Sequence, residues 1–258
     1  MWTARRARWY ARAAAASEFP TAALAALEPY LVECRTVLDV GAGVGILAIP
    51  LAQRGKAVTA LEPSPAMFRE LGHAVRRARA AAVRPVRTPW NAARPAPHDM
   101  VLAANVPGVV GDLPAFARRA ARLARRWIVV VLGAGGPPKF FFDELYPLLF
   151  HRPYDPKEGP TNPAATLRTL GLRPEVRTIA YGFDQPVRDL DEAVAFWRSY
   201  LPRLRPAQVA LLRRFLRARL VRVGGELRVP IRRQSLILAW RPSGRARSRS
   251  RARPRSAS

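Results

Sequence analysis

Between residues 34 and 133 the chain alternates short apolar runs with stretches whose apolar residues recur every three or four positions, a pattern of buried strands separated by amphipathic helices. The runs predict strands at residues 36–40, 57–62, 84–88, 99–104 and 127–132, and helices at 44–54, 65–80 and 113–125. Strands and helices in strict alternation pack as an α/β layer structure with a mostly parallel sheet. Beyond Gly133 the pattern changes. A glycine and proline stretch leads to an aromatic helix carrying Phe140, Phe141, Phe142, Leu145 and Tyr146, then to a polar, proline-rich loop at 151–163. A short helix at 163–170 ends at Gly171, a residue type that readily takes the left-handed conformation closing a helix. A sixth strand is predicted at 175–181 and helices at 189–201, with Asp191 and Glu192 near its positive end, and at 207–220. Residues 223–229 and 235–240 read either as a terminal hairpin or as a single seventh strand with an approach segment.

Residues 1–33 predict one or two helices, broken at Pro20, with Trp2, Trp9, Tyr10 and Phe19 adding aromatic surface for a cover. At 258 residues the chain is near the upper end of what one core fills, which favours one domain with insertions over two complete domains. The expected division is a helical cover at 1–33, an α/β domain at 34–240 with a helical insertion near 183–222, and a tail at 241–258. That tail holds arginine, serine, proline and glycine with almost nothing to bury, so it is expected to be disordered.

The chemistry is concentrated after the first predicted strand. There Asp39 precedes Gly41, Ala42, Gly43 and Gly45, and the helix follows. Glycines allow a tight turn and close backbone approach, and a helix N-terminus offers free N–H groups to a polar ligand. Dinucleotide sites favour G-x-G-x-x-G, which from Gly41 would require glycine where the chain has Ile46. The D-x-G-x-G-x-G pattern instead resembles the first motif of class I, Rossmann-like S-adenosylmethionine-dependent methyltransferases, of the bacterial small-molecule type. The next strand ends at Glu62, followed by Pro63, Ser64 and Pro65, which is similar to the second signature of that family.

The resemblance implies a Rossmann-like, mostly parallel seven-stranded sheet flanked by helices. It implies S-adenosylmethionine as cofactor, with Asp39, Gly41, Ala42, Gly43 and Gly45 around its methionine part. Glu62, with Pro63 beside it, would meet the two ribose hydroxyls, since two carboxylate oxygens suit two donors. Trp90 and Asn91 fall where the family contacts adenine, although its usual acidic residue is missing there. Asn105 falls where the family closes over the sulfonium. Asp99 is expected to help end the loop before its strand. The likeness spans residues 36–132 and leaves the substrate side unmatched.

Composition narrows the field further. Cys34 is the only cysteine, which excludes an intramolecular disulfide or a cysteine-built zinc site, and it is expected to be a small buried residue. His73, His98 and His151 lack the spacing of metal-binding pairs, so no metal is expected. No apolar run reaches bilayer-spanning length and the arginine-rich N-terminus lacks an export signal's apolar centre, so a cytoplasmic location without membrane association is expected. Net charge is +26, and only Lys56, Lys139 and Lys157 of the 44 basic residues are lysine. Such an arginine excess fits either a GC-rich coding bias or selection for polyanion binding.

For the methyl acceptor, the position after the fourth strand reads Asn105-Val106-Pro107-Gly108, without the stacking aromatic of the exocyclic-amine methylases. No thiol follows that strand for a covalent route to a base carbon. A small-molecule acceptor is therefore favoured, with nucleic acid, reached through the basic surface and arginine tail, as the alternative. An NAD-dependent oxidoreductase is the more distant one. Tyr10, His151, Tyr154 and Asp155 are the candidates for a base, and Phe140, Phe141 and Phe142 for a pocket wall.

Overall fold

The computed structural model of the chain describes residues 2–134, 139–155 and 162–242. Its centre is β1 (Thr36–Val40), an apolar run whose Val37 packs into one core and whose Leu38 and Val40 pack into another on the opposite face. Burial on both faces explains why the run shows no polar alternation. Ahead of it lie α1 (Ala4–Ala15) and α2 (Phe19–Leu31). After it come α3 (Ala48–Gln53), β2 (Ala57–Leu61), α4 (Pro65–Arg77), β3 (Val83–Val86), β4 (His98–Ala104), α5 (Pro107–Gly111), α6 (Leu113–Leu123) and β5 (Ala124–Gly133). The remainder is α7 (Phe142–Phe150), α8 (Pro163–Thr169), β6 (Glu175–Gly182), β7 (Gln185–Val187), α9 (Leu190–Arg198), α10 (Pro206–Arg217), β8 (Val221–Val223), β9 (Glu226–Val229) and β10 (Arg232–Trp240).

The main sheet has seven strands in the order β3-β2-β1-β4-β5-β10-β6, with β1 to β5 parallel and β10 antiparallel to both β5 and β6. The strand order reverses at β1, which pairs with β2 on one side and β4 on the other; in open α/β sheets the crevice at such a switch point receives ligands. Asp99 closes the opposite edge, its carboxylate accepting from the Arg35 and Thr36 amides at 2.9 and 3.0 Å. Cys34 is buried, with its thiol directed to the Tyr30 carbonyl at 3.2 Å.

Three departures from the sequence pattern have local causes. The first helix after β1 starts at Ala48, not at 44, because Gly43 and Gly45 hold positive φ values of 60° and 86° that no helix accepts. The final strand is single, and the segment before it is a hairpin in a second, three-stranded sheet, β7-β9-β8. Gly224 and Gly225, both at positive φ, make its two-residue turn. Residues 107–111 form a short helix opened by Pro107, which has no amide to leave unsatisfied at a helix start.

A third core lies around α7, α9 and α10 and includes Trp9 of α1. Glu192 anchors that contact, accepting from Trp9 Nε1 at 3.0 Å and the Arg188 amide at 2.8 Å and pairing with Arg12 at 2.8 Å. Burial alone would raise this carboxyl, but the bonds from Arg12, the Arg188 amide and Trp9 outweigh it and hold the pKa down at about 2. Glu192→Ala leaves Trp9 and Arg12 without their acceptor and should cost about 2 kcal/mol in denaturant melts near neutral pH. A depressed carboxylate contributes stability above its unfolded pKa and loses it as pH falls through the folded one. The gap between wild type and variant should therefore narrow below pH ~4.5; a gap independent of pH would remove the ion pair as its cause.

Candidate active site

At the carboxyl end of β1 the chain turns through Gly41, Ala42 and Gly43 into the crevice between β1 and β4. Gly41 has φ +71°, and a β-carbon there would stand 2.7 Å from Val106 Cγ2. At Gly43, φ +60°, a β-carbon would stand 3.5 Å from Met67 Cε and 4.0 Å from the Gly41 carbonyl oxygen and Tyr10 Cε1, all ordinary contacts, and Gly43 itself lines the cleft. The Gly43 amide donates to Glu62 Oε2 at 2.9 Å, while Glu62 Oε1 accepts from the Ser64 amide at 2.8 Å. Glu62 thus ties the glycine turn after β1 to the turn after β2. Burial raises its pKa, against the lowering effect of those two amides. Asp39, 2% exposed, is raised to about 7 by burial and then by the charge of Glu62.

The opposite lip is formed after β4. Asn105 takes a left-handed conformation, φ +54°, with its amide bonded to the Val131 carbonyl at 2.8 Å. Asparagine tolerates this region better than most residues, and the turn places Val106 against Gly41. After β3, Trp90 packs on Phe116 at 5.4 Å between ring centroids, with the Arg119 guanidinium 4.7 Å from its ring. Asp39, Gly41, Ala42, Gly43, Glu62, Pro63, Trp90, Asn91 and Asn105 all line one cleft of about 640 Å³.

The far end of the same cleft is aromatic. Tyr10 of α1 lies at the junction, near Gly43 on one side and 5.7 Å from the Phe183 ring on the other. Phe140, Tyr181, Phe196 and Tyr200 complete the wall. The one arginine among the described residues that line the cleft is Arg233, at the start of β10. A separate groove of about 900 Å³ is lined by Arg5, Arg8 and Arg12 of α1, Arg77 of α4, and Arg188.

Comparison with known proteins decides what kind of domain this is. Residues 37–126 match the family described as Methyltransferase domain. That stretch is similar in sequence to a methyltransferase domain, and the sheet that contains it has the Rossmann-like methyltransferase fold. S-Adenosylmethionine is the methyl donor of this class. A Bacillus halodurans protein assigned as a methyltransferase superposes on the chain with a TM-score of 0.54 at 15% identity, over 86% of this chain and 99% of its own. A structure described as the conversion of a disulfide bond into a thioacetal group during echinomycin biosynthesis gives 0.53 at 17% identity, over 86% and 81%. Both likenesses concern the fold. No curated protein matches the sequence.

Within the methyltransferase, Gly45 is the one residue of the expected cofactor set that does not line the main cleft. A β-carbon there would sit 2.8 Å from Leu71 Cδ1 and 3.1 Å from Ile49 Cδ1, so the missing side chain leaves room for these residues of α4 and α3. Of the candidate bases only Tyr10 lines the cleft, and burial pushes its phenol up to about 12. Tyr154 packs on Phe142 and Tyr146, and exposed His151 and Asp155 are outside the lining. Phe140 is a wall residue, whereas Phe141 stacks on Trp197 and Phe142 on its own helix. Tyr181, Phe183, Phe196, Tyr200 and Arg233 went unnoticed in the sequence. They come from three distant segments, and only the aromatic density of the chain hinted at them. The structure describes only Arg241 and Pro242 of the tail; residues 243–258 lie outside the described residues. No helix among the described residues is long and apolar enough to cross a membrane.

Proposed function

We propose that the domain transfers the methyl group of S-adenosylmethionine to a small molecule enclosed at the aromatic end of the cleft. The observation that carries this reading is the joining of two chemically different halves in one cavity: a glycine and carboxylate cradle at the ends of β1 and β2, and an apolar chamber beyond Tyr10. The cradle suits the cofactor in three respects. Gly43 keeps clear the space a side chain would fill. Asp39 and Glu62 place acceptors where a cationic, hydroxyl-rich ligand needs them, and Trp90 offers a flat surface for a base. Asp39, Gly41, Ala42 and Gly43 would hold the methionine part, Glu62 and Pro63 the ribose, Trp90 and Asn91 the adenine, and Asn105 the lip over the sulfonium.

Bound there, S-adenosylmethionine supplies a methyl group already activated on a cationic sulfur. What remains for the protein is alignment of the acceptor and exclusion of water. Tyr10 and Asn105 line the cleft together with the aromatic wall, whose apolar surface would exclude water once an acceptor is seated. The arginines of α1 and α4 line their own groove instead of the cleft, so the net charge gives no reason to place a nucleic acid acceptor in it.

Calorimetric titration of the purified chain should show micromolar binding of S-adenosylmethionine and of its demethylated product, and no binding of NAD. Binding of NAD without S-adenosylmethionine would exclude the proposal.

A further inference from the structure

Arg233 is placed as no other cation in the cleft. Its guanidinium lies 4.3 Å from the Phe183 ring centroid and 5.6 Å from that of Phe140, and its Nε is buried without a hydrogen-bond partner among the described residues. Burial weighs against its charge, and no carboxylate stands among the groups that act on it. The acids of the cleft, Asp39 and Glu62, belong to the cradle at the other end. A half-buried cation whose Nε is out of water and which has no carboxylate beside it among the described residues is unfavourable, and a ligand carrying a negative charge removes that cost. The surrounding rings favour a flat, apolar body, and guanidinium matches a carboxylate in shape, two N–H groups to two oxygens. A lone arginine does not balance a doubly charged phosphate.

We propose that the chamber receives a planar, apolar acceptor bearing one carboxylate, which Arg233 binds between Phe140 and Phe183. This rests on the methyl-transfer reading for the role of the chamber, since a carboxylate site as such requires only the geometry around Arg233. The anchored carboxylate fixes one end of the molecule and leaves its other end toward Tyr10 and the cradle, so the atom that receives the methyl group lies remote from the carboxylate.

The test uses the full chain, saturated with S-adenosylhomocysteine, and three probes of one ring size: 2-naphthoate, 2-naphthamide and 2-naphthylmethyl-trimethylammonium. Calorimetry should give naphthoate at least tenfold tighter than the amide, with the ammonium weakest. Arg233→Met should abolish the preference and Arg233→Lys retain part of it, with S-adenosylmethionine affinity changed by less than about threefold in either. Equal affinities, a preference for the ammonium, no naphthoate binding, or a preference that survives Arg233→Met would overturn the inference. Titration of the same proteins with S-adenosylmethionine keeps the two readings apart. Cofactor binding without carboxylate preference overturns the acceptor inference alone. Carboxylate preference without cofactor binding upholds the Arg233 site and overturns the methyl-transfer reading.

Discussion

A Gly43→Val protein is expected to fold and to bind S-adenosylmethionine at least about 100-fold more weakly than wild type, a loss of about 2.7 kcal/mol. Two effects add. Position 43 holds φ +60°, a region that costs a β-branched residue about 1–3 kcal/mol, so the turn shifts and the amide that donates to Glu62 is displaced. The new side chain also enters the cleft that Gly43 lines, since Met67, Tyr10 and the Gly41 carbonyl stand near its β-carbon only at ordinary contact distances. The same change at Gly41 would be a poorer test, because its β-carbon would strike Val106 at 2.7 Å and disturb the start of α5. Calorimetry shows the loss and circular dichroism confirms the fold; affinity within about threefold of wild type would mean that the turn is not the cradle.

The second large effect is expected from Asp39→Asn, and it has opposite signs for stability and for binding. Burial and the neighbouring Glu62 raise Asp39 from its ordinary 3.8 to about 7 in the folded protein. A group whose folded pKa is raised takes up protons on folding between those two values, so its contribution to stability declines as pH rises through that window. Above it the ionised carboxylate costs the ligand-free protein on the order of 2–4 kcal/mol, a penalty the neutral amide does not carry. The variant should therefore be the more stable protein at pH 8, with the difference vanishing near pH 4. Binding runs the other way. A cationic ligand favours the carboxylate, so wild-type affinity should rise with pH up to about 7. The variant should bind at least about tenfold more weakly at pH 8 and lose that part of the pH dependence. Paired melts and titrations across pH 5 to 8 check both; equal stability at pH 8 would show that Asp39 is not held in the unfavourable ionised form.

The readable part of this molecule was the part in which neighbours in sequence are neighbours in space. β1, the glycine turn and Glu62 lie within one β-α-β unit, so periodicity and spacing located them together. The seventh strand was harder, because nothing in the run at 232–240 tells that it lies between β5 and β6. The hairpin of the small sheet had a local signal in Gly224-Gly225, but strands of three and four residues are too short to show alternation. The acceptor wall was illegible for a different reason. Tyr10, Phe140, Phe183 and Arg233 share no segment, and an aromatic residue headed for a cavity looks the same in sequence as one headed for a core. Phe140, Phe141 and Phe142 illustrate this, as three adjacent identical residues with three different surroundings.

The reversed direction of β10 bears on how this molecule can change over generations. Because the strand runs against β5, its first residues, not its last, stand where the parallel strands end, and Arg233 faces Tyr181 across the ladder. Ile237 and Ala239 join the core on one side of the sheet and Leu238 and Trp240 join the other. A slip of one residue would exchange every one of these faces. Insertions and deletions in the link from β9 are therefore barred from moving the arginine gradually. Altered acceptor preference is expected to arise through single replacements at position 233 and in the rings beside it, on a strand whose alignment the two cores keep constant.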